Sequence, residues 1–218
     1  MGFTMNIPIT SSSGYASPVF SALRDRTRAL HHRIDHHPLL APLVQTGLTL
    51  DHYLQVLQTL NWIYQPLEPL LNAAVLRWCG STGFIPSPRL EWLRRDLELL
   101  RGECATHSLP PHRPSVPVPD SAAATIGMLY VVEGSTLGGA VIARQVQNSL
   151  GLQADTGAAY FNGNGVATQH RWEMFYSSAV SMCPVDQAEL ATNAASSLFK
   201  VFLNILDVAD AHFRSVRL

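Results

Sequence analysis

From Pro18 onward the apolar residues recur at three- and four-residue spacing. No stretch alternates with a period of two, so the chain predicts helices and no strands. The first helix is PVFSALRDRTRALHHRID, with Pro18 suited to a first turn, where a backbone N–H has no helical partner to lose. Pro38 ends it, because the residue before a proline is pushed out of the α region. A short helix, PLLAPLVQ, follows. Thr49 then caps a long periodic stretch, LDHYLQVLQTLNWIYQPLEPLLNAAVLRW, which Pro66 and Pro69 should kink or split. Gly80 to Pro88 reads as a loop, Arg89 to Glu103 as an amphipathic helix, and the proline-rich Ser108 to Pro119 as an extended surface connector. Asp120 is the expected N-cap of the next helix, which runs to Leu150. After a turn-rich link from Gly151 to Val166, helices over Thr168–Met182 and Asp186 to about Phe213 complete the set. Together they make an all-α domain of roughly seven helices over residues 18–218, after a flexible tail at 1–17.

Composition narrows the function classes. The 218 residues are 47% hydrophobic and only 14% charged, which is enough apolar material for a sizeable core and too little charge for disorder. With a net charge of −1, no basic face for nucleic acid and no acidic tail is expected. Three widely spaced cysteines, Cys79, Cys104 and Cys183, form no CxxC, so a reducing cytoplasm fits better than a disulfide scaffold or a zinc site. The first residues lack the charged and apolar regions of a signal peptide, and Met5 is an alternative start. No uninterrupted apolar run reaches the roughly 18 residues that suggest a membrane span.

Four histidines crowd into HHRIDHH at 31–37. On a helical wheel with Phe20 at zero, Leu23, Thr27, Leu30 and Ile34 form the core stripe. His31 falls on the flank of that stripe, at about 20°, whereas His32 lies near about 120° and His36 near about 160°, both toward water. His37 meets Pro38 at the helix end. Arg24 and Arg28 rise along the same edge as His31. The edge thus offers an imidazole able to bind a transition metal, beside guanidinium groups able to pair with carboxylates. The plainer reading is a hydrogen-bonded structural histidine next to solvated arginines, with Asp25 or Asp35 as their partners.

The second feature is EGSTLGGA, residues 133–140, inside a helix-like run. Each glycine in a helix interior costs about 1 kcal/mol against alanine, so a close approach to the backbone is implied. Gly127, Gly134 and Gly138 share one face, with Ala123 and Val141 beside them, and Gly139 lies off it. A close helix crossing would explain two small residues. A flat ligand between two helices would explain more of them. A ring with a metal for His31, carboxylates for the arginines and a flat face for the glycines describes haem.

The stretches LRDRTRALHHRID at 23–35 and YVVEGSTLGGAVIAR at 130–144, with YFNGNG at 160–165 and RW at 171–172 in support, resemble the haem oxygenase family. The likeness is strongest to the bacterial branch associated with bacteriophytochromes, and it covers most of the chain from Pro18. It implies a helical fold with haem between a proximal helix and a kinked distal helix. His31 matches the histidine of the family's T-x-x-[LV]-H pattern, which begins here at Thr27, and would be the axial iron ligand. Arg24 and Arg28 match basic positions near the propionates, and Gly134 and Gly138 match distal glycines over the ring, with Gly139 beside them. The implied activity is cleavage of haem to biliverdin, carbon monoxide and ferrous iron, with haem as both substrate and cofactor. O₂ and an external electron donor such as ferredoxin or a flavin reductase are required, and the product would serve as a phytochrome chromophore or release iron.

Two departures from the family pattern stand out. Ser135 sits where many members carry an aspartate, which leaves Gly134, Ser135 and Gly138 as the catalytic distal set. Arg171 is the one basic candidate on its helix, and Ser177 falls where an arginine is expected. The alternatives are a haem carrier or sensor without turnover, or a related helical module without haem, such as a thiamin-salvage-type hydrolase or a di-iron protein. No E-x-x-H and no G-x-S-x-G supports the last two. A monomer is the expected state.

Overall fold

The structure is a computed structural model, and it describes residues 17–102, 109 and 114–216. Residues 1–16 of the proposed tail, Glu103, Cys104 and part of the proline-rich connector lie outside the described residues. Seven α-helices run in order: α1 (Pro18–Asp35), α2 (Leu50–Trp78), α3 (Arg89–Leu99), α4 (Ala122–Leu150), α5 (Ala159–Asn162), α6 (Thr168–Met182) and α7 (Ala188–Val216). No strand occurs among the described residues. Short 3₁₀ turns, such as Ala41–Val44, link several of the helices.

Helix α4 is the central element. Every residue from Ala123 to Gly134 is buried, as expected of a helix surrounded on all sides. By length and hydropathy α4 could cross a membrane, but most of it is enclosed by the other helices, which marks it as a core helix. It packs principally on α7, which also carries α1, while α2 packs on α3 and α4. The stripe on α1 begins in the core with Phe20, Leu23 and Thr27 and ends half-buried at Leu30 and Ile34. Cys79 and Cys183 are buried free thiols, both pushed above the ordinary thiol range by burial.

Two expectations about helix boundaries need correction. Asp120 does not cap α4; Ser121 does, its Oγ accepting from the Ala124 N–H at 3.2 Å. The serine reaches the orphan N–H because it adopts the extended backbone an N-cap requires. Nor do Pro66 and Pro69 split α2, which runs unbroken from Leu50 to Trp78. The buried Ile63, Tyr64, Leu67 and Leu71 hold it across the two missing N–H donors. Glu68, between the prolines, serves α3 instead, its Oε2 accepting from the Leu90 N–H at 2.8 Å. At the other end of α4, Gly151 takes a left-handed conformation with φ of 71°, and its N–H returns to Gln147 O.

Candidate functional site

Helices α1 and α4 both lie on α7 and meet at one end, where Phe20 packs edge-on against Tyr130 at 5.9 Å between ring centroids. Between them opens a cavity of about 330 Å³ whose walls also include residues of α2, α5 and α7. Its lining is mostly apolar, with a few polar groups, and its size falls within the roughly 300–1,000 Å³ of small-molecule pockets.

His31 and Ile34 face this cavity from α1. His31 Nδ1 lies 2.9 Å from Asp35 Oδ2, one helical turn on, as an ion-pair contact. With Nδ1 turned to that carboxylate, Nε2 is the ring nitrogen left to face a ligand. Asp35 is nearly buried and lines the same cavity. It therefore serves the histidine and not an arginine. The edge of the His31 ring also rests against Phe199 of α7, with centroids 5.9 Å apart. The neighbouring histidines separate as the wheel predicts: His32 and His36 are exposed and stacked on each other. His37 is buried; its Nδ1 accepts from the Leu39 N–H and its Nε2–H donates to Asp207, tying the end of α1 to α7.

The glycines divide into two groups. Gly134 and Gly138 line the cavity, and a side-chain carbon on Gly134 would meet only Trp172 at ordinary contact distance, 3.7 Å. Gly127, on the same stripe, is a helix crossing: a Cβ there would lie 2.0 Å from Ala191 O on α7. Gly139 also borders the cavity, but its missing Cβ is required by α5, whose Phe161 O would be 2.6 Å away. Gly134 and Gly138 thus face the cavity, whereas close packing accounts for Gly127 and Gly139.

The expected cations are not brought to the cavity. Arg24 and Arg28 are exposed and turn to Asp25, with N–O distances of 3.6 and 3.3 Å. A short charged side chain between them on the same surface is a nearer partner than anything in the interior. Arg171 donates to Ile85 O at 2.5 Å, and its guanidinium lies 5.9 Å from the Phe84 ring centroid, away from the cavity. Thr27 is buried, donates to Leu23 O at 2.7 Å and neighbours Tyr130, a wall residue. Its role is to hold a wall.

Ser135 borders the cavity and donates to Val132 O at 2.8 Å. Glu133, its neighbour, is turned away: its carboxylate accepts from the N–H and hydroxyl of Ser87 at 2.9 and 2.8 Å. The residue that sequence reasoning missed is Arg89, the first of α3. Only 2% exposed, it lines the cavity and donates to Val132 O at 2.6 Å and to Ser135 Oγ at 3.2 Å. Burial works against its charge, but the phenol oxygens of Tyr64 and Tyr160 and the carboxylates of Glu133 and Glu68 outweigh it. They hold the guanidinium above the usual arginine value. One signal was available, since a cation at the positive end of a helix opposes the helix dipole and calls for a reason. Tyr160 and Phe161 complete the wall from α5. Asp96 holds that short helix by accepting from the Ala159 and Tyr160 N–H groups at 2.7 and 2.8 Å.

Among the described residues no group of three or more His, Cys, Asp or Glu could hold a metal ion. A metal at His31 would need its remaining ligands from a bound molecule, and a macrocycle supplies them. The residues present therefore fit a flat metallated ring.

Comparison with known proteins gives one consistent result. The family model described as Heme oxygenase matches residues 17–207. A heme oxygenase from Xanthomonas campestris pv. campestris (strain 8004) is 37% identical over 109 residues, half of this chain. The matched stretch spans 61% of that relative's length. Two solved structures share the fold. Heme oxygenase from Leptospira interrogans has a TM-score of 0.69 at 16% identity, over 87% of this chain and 98% of its own. Heme oxygenase-1 from the cyanobacterium Synechocystis sp. PCC6803, solved in complex with heme, has a TM-score of 0.66 at 15% identity, over 92% and 96%.

Proposed function

The chain belongs to the haem oxygenase family, and on that premise we propose that it binds haem between α1 and α4 and cleaves it oxidatively. The observation that carries the reading is the gap itself. One wall presents His31, its Nδ1 turned to Asp35, and another presents the bare backbone of Gly134 and Gly138. Haem, when bound, supplies both the iron that activates O₂ and the ring that is cut, yielding biliverdin, carbon monoxide and ferrous iron with electrons from an external donor such as ferredoxin or a flavin reductase.

The chain's own residues then have defined tasks. His31 would hold the iron from α1, with the Asp35 carboxylate at 2.9 Å placed to orient the imidazole. The apolar wall of Phe199, Phe202 and Leu206 excludes water from the ring. Gly134 and Gly138 leave room on the other face. Arg24 and Arg28 lie about two turns and one turn before His31, roughly 10 Å and 4.5 Å along the axis. Their exposed pairing with Asp25 is worth at most about 1 kcal/mol, so exchanging it for the ring's carboxylates is inexpensive. Supply of biliverdin to a bacteriophytochrome and a cytoplasmic monomer rest on the sequence likeness and composition.

A second reading, a haem carrier without turnover, is favoured by one observation: Ser135 offers the cavity a hydroxyl and no carboxylate. Turnover decides between them. Protein loaded with one equivalent of haemin and given a reductant in air should lose its haem band and yield biliverdin. A stable haem complex under several donors supports the carrier. His31→Ala should abolish the axial Fe–N signature and turnover, and His32→Ala, on the exposed face, should preserve both.

A further inference from the structure

Arg89 is a buried cation with an incomplete set of partners. A guanidinium has five N–H donors and no acceptor. The hydrogen bonds of Arg89 go to Val132 O and Ser135 Oγ, both through the same terminal nitrogen, and its buried Nε has no partner. Leaving such a donor unmet inside a protein is unfavourable. The two nearest carboxylates are engaged elsewhere, Glu133 by Ser87 and Glu68 by the Leu90 N–H. Among the described residues Arg89 is the one arginine or lysine in the cavity wall.

We infer that Arg89 and Ser135 form a donor pair that holds a small anion or a polarised oxygen at the α4 side of the cavity. The inference rests on the haem reading and specifies how that site treats what binds over the ring. A hydroxyl fastened to a guanidinium is a better donor than one on its own, and the Ser135 hydroxyl can rotate from Val132 O toward a ligand. The occupant is not a ring carboxylate. Arg89 is anchored to the α4 backbone beside Gly134, deep in the fold and 2% exposed, whereas haem carboxylates face water. The pair would therefore serve a small ligand held beside the ring on the α4 side, and not the ring's own carboxylates.

Fluoride is the probe, because it binds ferric haem as an anion and is sensitive to hydrogen-bond donors. Haemin-loaded wild type, Arg89→Met, Arg89→Lys and Ser135→Ala would be titrated with fluoride and, separately, with neutral imidazole, each followed by absorption. Arg89→Met should weaken fluoride about tenfold or more, with Arg89→Lys in between and Ser135→Ala losing less, and imidazole affinity should hold. Equal fluoride affinity in wild type and Arg89→Met overturns the inference, as does parallel loss of both ligands, which marks a collapsed wall. Should Arg89→Met not fold by circular dichroism, Ser135→Ala decides, and unchanged fluoride binding there overturns the pair. Failure of wild type to bind haemin defeats the functional reading and this inference with it. Normal haemin binding with unchanged fluoride affinity defeats the inference alone.

Discussion

His31 is useful because of Asp35. Its Nδ1 lies 2.9 Å from a nearly buried carboxylate, a neighbour placed to orient the ring. Asp35→Ala should therefore weaken haemin binding about 10- to 100-fold, measured by absorption titration, with little change in helical content. An unchanged affinity would show that the wall, and not the carboxylate, orients the ring. At this scale the sequence told direction well and pairing poorly. A helical wheel separates His31 from His32, because both follow from backbone geometry. It cannot say whether Asp35 serves Arg28 or His31, since that depends on side-chain reach. Arg24 and Arg28 were placed on the correct edge but turn to Asp25. The partners of Arg89 arrive from three other helices and could not be read from its own stretch.

Among the elements, α4 shows how one glycine-rich run serves two purposes. Gly127→Ala should be strongly destabilising, by about 1–3 kcal/mol, because the added carbon meets the backbone carbonyl of Ala191. Gly134→Ala meets only the edge of Trp172 and should leave stability equal or raise it by up to about 1 kcal/mol, the gain in helix propensity. Urea denaturation of the two variants checks the contrast, and equal losses would mean that Gly134 is also a packing glycine. The sequence exposed the stripe but not its division, because the neighbours at Gly127 and Gly139 belong to α7 and α5. Proline at 66 and 69 misled for a similar reason: local rules predict a break, and the buried face of α2 overrides them. The shift of the cap from Asp120 to Ser121 is a one-residue matter that the sequence leaves open, since both residue types cap helices.

Taken whole, the molecule was legible as an all-helical fold, since three- and four-residue periodicity is a local signal. The cavity was legible only in part. Its two defining walls announce themselves through a histidine and a set of glycines. The third comes from α5, a single turn hidden within a stretch rich in turn residues, and from the apolar face of α7, which reads like any core stripe. That single turn has a mechanical consequence. Helix α5 is held at one end by the Asp96 carboxylate, reaching over from α3, and pressed at the other by Gly139 of α4, against Phe161 O. It behaves as a gear tooth between two helices that line the site. A ring bound in the proposed site would press on Tyr160 and Phe161, and that load would pass to the amides of Ala159 and Tyr160. Haemin should therefore slow deuterium exchange at those two amides more than at the first turn of α2, near Thr49; equal slowing throughout would report only a stiffer whole. That outcome would make two backbone protons, both donated to Asp96, a gauge of the site's occupancy.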